Sequence, residues 1–181
     1  MNEHKQSGIH CVFYYYGVEH LAINLYDYVN KGIKKNELVY LCVEPEIYKT
    51  IFKYLHKHNN QIEILNIDCL IDKHNTNEIE ELLTSFLSYK EIARKKGYSS
   101  IRIVNQVNYL LSSISQNQFM DFDNLLNKVV EKLNISVMCA YDFDDYLNKK
   151  QLINDALMNQ SFRSHDHRFY NFKMIKNNGC I

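Results

Sequence analysis

Short, continuous apolar runs alternate along this chain with longer segments in which apolar residues recur at helical spacing. The runs are rich in β-branched and aromatic residues and roughly four to eight residues long, which predicts buried strands. They lie at 9–16, 38–43, 62–67, 101–104, 135–141 and 168–175. The periodic segments predict five helices, because each carries one apolar stripe. They lie at 18–32, 45–55, 75–96, 119–133 and 144–158.

Glycine and proline indicate where several of these elements begin or end. Gly97 follows the basic run 94–96, and cations stabilise the negative end of a helix dipole, so a helix is expected to end there. Gly32 is expected to end the first helix in the same way. Pro45 is expected to open the second, because proline is tolerated in the first turn.

The alternation of strand and helix predicts the α/β class, a three-layer sandwich with a mainly parallel central sheet flanked by helices. We expect one domain over residues 1–181, with its core at about 8–175, because the 181-residue length is typical of a single domain. The chain contains no internal repeat or low-complexity linker. Sheets of this type bind ligands at the carboxyl ends of their strands.

Composition and charge exclude several classes of partner. Lys+Arg and Asp+Glu are balanced at 21 each, so the chain has no overall electrostatic attraction to nucleic acid. The first eight residues lack the apolar core of a signal peptide, and no run is long enough to span a membrane. We therefore expect a cytoplasmic protein with neither nucleic acid nor membrane as a direct partner.

Cysteine and histidine patterns give little support for a metal site. The five cysteines form no C-x-x-C pair, and Cys11, Cys42 and Cys139 lie in predicted strands, where free thiols behave as small apolar residues in a reducing compartment. The pairs His56/His58 and His165/His167 are expected to be solvated, although 165–167 could chelate adventitiously. The sequence therefore predicts no metal and no cofactor.

Polar residues at predicted strand ends are the candidate binding residues, and several allow two interpretations. Arg102 lies within an apolar strand, where it either bonds a structural carboxylate or faces a ligand. Glu44 and Asp142 each precede a helix, so each is either a helix cap or a candidate base. No G-x-x-x-x-G-K-[ST], G-x-G-x-x-G or G-x-S-x-G motif occurs, which argues against a nucleotide hydrolase and a serine hydrolase.

Four short motifs, in this order, resemble the MEDS domain, a sensory domain named after methanogens, methylotrophs and a dichloromethane-responsive regulator. The first is Ile9-His10 followed by Phe13-Tyr14. The others are Gly-Tyr-Ser-Ser-Ile-Arg at 97–102, Gln-Val-Asn-Tyr at 106–109 and Cys-Ala-Tyr-Asp at 139–142. The resemblance covers about residues 8–175.

This resemblance implies a sensory or regulatory module with a core similar to RecA and KaiC-type ATPases but without a phosphate loop. Two positions depart from the family pattern, where Gln106 replaces a glutamate and Tyr109 a tryptophan. A neutral amide can form hydrogen bonds but cannot act as a general base near neutral pH. The departure therefore argues further against catalysis. Family members are often fused to a DNA-binding or histidine-kinase module, for which this chain has no room.

The leading hypothesis is a non-catalytic signal-transduction domain that senses a small ligand or docks on a regulatory protein such as a histidine kinase or transcription factor. The candidate ligand- or partner-binding residues are Tyr15, Glu44, Arg102, Gln106, Tyr109, Tyr141 and Asp142. One alternative is a pure protein interaction module, such as a homodimer, whose pocket is filled by side chains. Another is a degenerate nucleotide hydrolase that uses Glu44 or Asp142.

Overall fold

A computed structural model describes residues 8–66 and 79–177. Its first half contains β1 (Ile9–Tyr15), α1 (Gly17–Lys34), β2 (Glu37–Cys42), α2 (Pro45–Leu55), a 3₁₀ helix (His56–Gln61), β3 (Ile62–Ile64) and α3 (Ile79–Lys95). Its second half contains β4 (Ser100–Gln106), α4 (Val107–Leu110), α5 (Gln116–Leu133), β5 (Ser136–Asp142), α6 (Phe143–Asn148), α7 (Asp155–Ser164), β6 (His167–Tyr170) and β7 (Lys173–Lys176).

The strands of the described residues form one sheet in the order β3-β2-β4-β5-β1-β6-β7. Every pairing is parallel except that of β6 with β7, which is antiparallel. This confirms the predicted α/β class with a mainly parallel sheet. The four central strands are almost entirely buried, as expected for a sheet with helices on both faces.

Two apolar layers hold the helices against the sheet. On one face α1 and α2 bury Leu21, Leu25, Ile47 and Ile51 against the strands. On the other face α3, α5 and α7 do the same, with Phe86, Phe119, Leu126 and Leu157 among the buried residues. Alternate residues of each central strand face opposite layers, which decides on which side of the sheet each polar side chain lies.

Two predicted elements were wrong near the carboxyl-terminal end. The helix expected at 144–158 is two helices, α6 and α7. The second begins at Asp155 and is capped by Asn154, whose side chain accepts a hydrogen bond from Leu157 N (2.9 Å). The strand expected at 168–175 is a hairpin of β6 and β7. Its turn lies at Asn171 and Phe172, both with positive φ (46° and 59°).

The glycine predictions had opposite outcomes. Gly97 ends α3 with φ of 87°, as predicted. Gly32 does not end α1, which continues to Lys34, and the left-handed residue that follows is Asn36, with φ of 59°. The predicted first turn of the third helix, 75–78, lies outside the described residues.

Two further expectations concern thiols and membrane insertion. Cys11, Cys42 and Cys139 are free and buried, as predicted. Within residues 8–66 and 79–177, none of the helices is long and apolar enough to cross a membrane.

Candidate functional site

Three of the predicted binding residues meet where the central strands end. Gln106 Oε1 accepts a hydrogen bond from Glu44 N (2.8 Å), and Gln106 Nε2 donates one to Tyr15 Oη (3.2 Å). Tyr15 Oη donates to Asn108 Oδ1 (3.1 Å), and Asn108 Nδ2 donates to Glu44 Oε1 (3.3 Å). We call these four residues the strand-end cluster. Its polar groups are bonded mainly to one another.

Asp142 lies beside this cluster and caps a helix. It is the register partner of Tyr15, and its Oδ1 accepts hydrogen bonds from Asp144 N (2.9 Å) and Asp145 N (3.4 Å) at the start of α6. Burial raises the pKa of Asp142 above its ordinary value. Of the two interpretations of Asp142, the structure shows the cap. Glu44 precedes Pro45 at the N-cap position of α2 but makes no side-chain cap bond, so of its two interpretations the structure does not show the cap.

Arg102 is not at the carboxyl end of its strand, so its predicted place among the strand-end residues was wrong. It is the third residue of β4, and its Nε donates to Glu37 Oε2 (2.6 Å). Its Nη1 donates to Tyr28 O (3.3 Å), and its guanidinium lies 4.3 Å from the centre of the Tyr28 ring. Its partner is thus a structural carboxylate at the opposite end of the sheet.

The two remaining predicted residues lie on the other face of the sheet from the strand-end cluster. Tyr141 is fully buried and packs edge-on against Phe119 (ring centres 6.2 Å apart). Tyr109 is half-buried and packs against the same apolar layer. Tyr141 does not join Gln106, because it follows Ala140, the register partner of Gln106, and neighbouring strand residues point to opposite faces. Tyr109 does not join it either, since it lies on α4, beyond the end of β4.

Four side chains with metal-binding atoms converge under α5 and α7. His10 lies on β1, Cys139 on β5, Asp123 on α5, and His165 directly follows α7. All four are at most 2% exposed. We call this set the buried centre.

The geometry of the buried centre fits one metal ion. Its four ligand atoms lie within 4.8 Å of one another. Asp123 Oδ1 is 3.5 Å from His10 Nε2, from His165 Nε2 and from Cys139 Sγ, and Cys139 Sγ is 3.5 Å from His10 Nε2. In a tetrahedral zinc site the metal bonds are about 2.0–2.3 Å, which sets neighbouring ligand atoms about 3.3–3.6 Å apart. These four of the six pairwise distances match that spacing, and the other two are at most 4.8 Å.

Outer hydrogen bonds orient both imidazoles toward the middle of the buried centre. His10 Nδ1 bonds to Asn127 Oδ1 (2.8 Å), and His165 Nδ1 bonds to Ser161 O (2.9 Å). Since both partners are acceptors, a proton on each Nδ1 would leave each Nε2 free to bind a metal ion. His165 Nε2 has no hydrogen-bond partner among the described residues. This arrangement is typical of metal-ligating histidines.

The charge state of the buried centre also suits a divalent ion. Burial would raise the pKa of Asp123, but His165, His10 and the Ser164 hydroxyl (2.5 Å) hold it below its usual value. Burial lowers the pKa of His165 to about 4, so that this imidazole is neutral at pH 7. Burial raises the pKa of Cys139 well above its ordinary value, so a divalent ion would bind this residue with loss of the thiol proton. A divalent ion, the Asp123 carboxylate and a Cys139 thiolate together carry no net charge, which a buried site tolerates best.

The ligand atoms of the buried centre favour late transition metals over magnesium and calcium. Thiolate and imidazole suit zinc and other late transition metals, whereas magnesium and calcium prefer oxygen ligands.

A cavity between α5 and the β6–β7 hairpin reaches the outer side of the centre. Its lining includes His10, Asn127, Glu131, Asp166 and Lys176. An ion could approach from solvent along this cavity.

Sequence reasoning missed the buried centre because its ligands come from four separate elements. Ligand pairs close in sequence do not reveal it, since of the pair His165/His167 only His165 belongs to the centre. A different signal was present. Asp123 interrupts the apolar stripe of α5 between Phe122 and Leu126, and His10 lies within an apolar strand. Buried polar residues in such positions need partners.

Comparisons with known proteins agree with the fold and identify a family match. A family model described as the MEthanogen/methylotroph, DcmR Sensory domain, or MEDS, matches residues 9–166, a range that includes all four residues of the buried centre. No curated protein matches the chain.

Two solved structures are similar to this chain in fold. A KaiC-like protein from the hyperthermophilic archaeon Pyrococcus horikoshii OT3 superposes with a TM-score of 0.55 at 8% identity, covering 93% of this chain and 76% of the other. A second structure, described as an ATPase domain, gives a TM-score of 0.50 at 11% identity, covering 91% of this chain and 69% of the other. At these identities the likeness shows only the fold, which is RecA-like.

Proposed function

We propose, from the premise that this chain belongs to the MEDS family of sensory domains, that it senses a divalent transition-metal ion at the buried centre. The observation that carries the proposal is the convergence of four ligand atoms within 4.8 Å. Zinc is the ion that best fits two imidazoles, one thiolate and one carboxylate. Occupancy of the centre is then the signal.

The proposed domain transmits a signal and performs no reaction. Tyr16 alone separates β1 from α1, whereas a phosphate loop of the G-x-x-x-x-G-K-[ST] type needs about eight residues. Glu44 and Gln106 are engaged within the strand-end cluster, and Asp142 caps α6. These contacts support a structural role for the residues that an enzymatic hypothesis would use.

The proposed output partner is a regulatory protein such as a histidine kinase or a transcription factor. An apolar groove between α1 and α2 supports protein docking, since Ile23 and Tyr54 are 59% and 69% exposed there. Tyr26 completes the apolar surface, with Glu19 and Thr50 at its rim. Apolar patches with polar rims are typical of interaction sites. The same groove favours a second candidate function, a pure interaction module without a metal input.

Metal binding is tested by equilibrium dialysis of the metal-free chain against Zn²⁺ or Mg²⁺, followed by metal quantification and thermal unfolding. We expect one Zn²⁺ per chain and none of Mg²⁺. A ligand present at about 100 times its dissociation constant adds about 2.7 kcal/mol to the free energy of unfolding, so Zn²⁺ should raise Tm.

Matched variants make this test specific to the buried centre. Cys139→Ser and Asp123→Asn each remove one ligand with little change in volume, and each should weaken Zn²⁺ binding at least tenfold. Cys42→Ser alters an equally buried strand cysteine outside the centre and should bind like the wild type. No Zn²⁺ binding by the wild type, or equal binding by Cys139→Ser and Cys42→Ser, would contradict the proposal.

A further inference from the structure

We infer that metal occupancy of the buried centre controls the docking of the β6–β7 hairpin onto the sheet, an inference that rests on the proposed function. Three of the four ligands belong to β1, α5 and β5. The fourth, His165, lies in the two-residue connection between α7 and β6. An ion bound to both His10 and His165 would therefore tie β1 to the segment that enters the hairpin.

Both ends of the hairpin are anchored at this same connection. Asn177, the residue after β7, donates from Nδ2 to His165 O (3.0 Å) and from its backbone N to Asp166 O (2.7 Å). On the other side of the connection, Asn127 Nδ2 donates to Ser164 O. Since Asn127 also bonds to His10, the base of the hairpin and the ligands share one hydrogen-bond network. A change in the position of His165 is transmitted directly to the hairpin.

Apart from these bonds, the hairpin is held by a short pairing with β1, by Phe169, and by Lys31, whose Nζ donates to Phe172 O and lies 5.4 Å from the centre of the Phe169 ring. β6 pairs with β1 at two positions, whereas β5 pairs with β1 at seven. Among residues 167–176, all of which are described, Phe169 alone is buried, and its ring lies 5.8 Å from that of Phe13 and 5.7 Å from that of Tyr28. The cavity next to His10 separates part of the hairpin from α5. Short, exposed elements of this kind open locally at low free-energy cost.

Without an ion, docking of the hairpin leaves a buried acceptor unsatisfied. His165 Nε2 has no hydrogen-bond partner among the described residues, and His165 is 2% exposed. An unpaired buried polar atom opposes the docked state, whereas a metal bond at the same atom stabilises it. The metal-free protein therefore exchanges between docked and undocked hairpins, and the metal-bound protein stays docked.

Hydrogen–deuterium exchange of the full chain, with and without Zn²⁺, tests this inference. We expect Zn²⁺ to slow exchange at least tenfold in peptides that cover 165–177, and much less in peptides from the central strand β4. Cys139→Ser should lose the effect and Cys42→Ser should keep it. Phe169→Ala should bind Zn²⁺ in dialysis yet show faster hairpin exchange than the wild type in the bound state.

The two levels of the hypothesis fail in different ways. If dialysis shows one Zn²⁺ per wild-type chain but exchange at 165–177 is the same with and without the ion, the inference is overturned and the proposed function stands. If the wild type binds no Zn²⁺, both are overturned. If Zn²⁺ slows exchange equally in every element, the ion stabilises the whole fold and the hairpin has no separate role.

Discussion

Arg102 illustrates how one charged residue is accommodated inside a buried strand. The sequence left two partners possible, a structural carboxylate or a ligand, and the structure shows Glu37 at 2.6 Å. Glu37 opens β2, and β2 and β4 pair in parallel with Glu37 opposite Ser100. Sequence reasoning could not select this partner because the two residues lie 65 positions apart and meet only after the strands pair.

Arg102→Met should strongly destabilise the fold, because it leaves the Glu37 carboxylate buried and unpaired. Removing one partner of a buried ion pair costs about 3–5 kcal/mol, which urea denaturation would measure. Arg94→Met is the control, since Arg94 and Glu91 form an exposed pair, and such pairs contribute at most about 1 kcal/mol. Equal losses of unfolding free energy in the two variants would show that the buried Arg102–Glu37 pair stabilises the fold no more than an exposed pair does.

At the scale of elements, periodicity located most helices and strands but not their interruptions. The break between α6 and α7 contains neither glycine nor proline, and the hairpin turn at Asn171 and Phe172 lacks glycine, so the signals that usually mark such breaks are absent. Gly32 is the opposite case, a glycine that was expected to end a helix and does not. It lies inside α1 where the helix approaches Arg102, so its lack of a side chain serves packing rather than helix termination.

Gly32→Ala should destabilise the protein, although glycine-to-alanine changes in helices ordinarily stabilise by about 0.5–1 kcal/mol. A Cβ at Gly32 would lie 2.6 Å from Arg102 Nε and 3.2 Å from Glu37 Oε2. Overpacking of this kind costs about 1–3 kcal/mol. The free energy of unfolding should therefore fall in the wild-type background and rise or stay constant in an Arg102→Ala background. The same change in unfolding free energy in both backgrounds would show that contact with Arg102 does not cause the destabilisation.

At the scale of the whole molecule, the fold could be predicted from the chain but the buried centre could not. Alternating strands and helices imply a parallel α/β sheet, because few arrangements bury such a pattern. The four ligands become neighbours only through the order of strands, the placement of α5 and the path of the chain after α7. None of these can be derived from local spacing. The strand-end residues were easier to predict, because parallel strands bring their carboxyl ends to one edge of the sheet.

Cobalt substitution tests the central claim most directly, because Co²⁺ reports both its geometry and its ligands in the absorption spectrum. Wild type and Cys42→Ser with one equivalent of Co²⁺ should show the intense d–d bands of tetrahedral coordination and a thiolate-to-cobalt charge-transfer band. Cys139→Ser should lose the charge-transfer band. A weak, octahedral spectrum in the wild type, or a charge-transfer band that survives in Cys139→Ser, would contradict metal binding at His10, Asp123, Cys139 and His165.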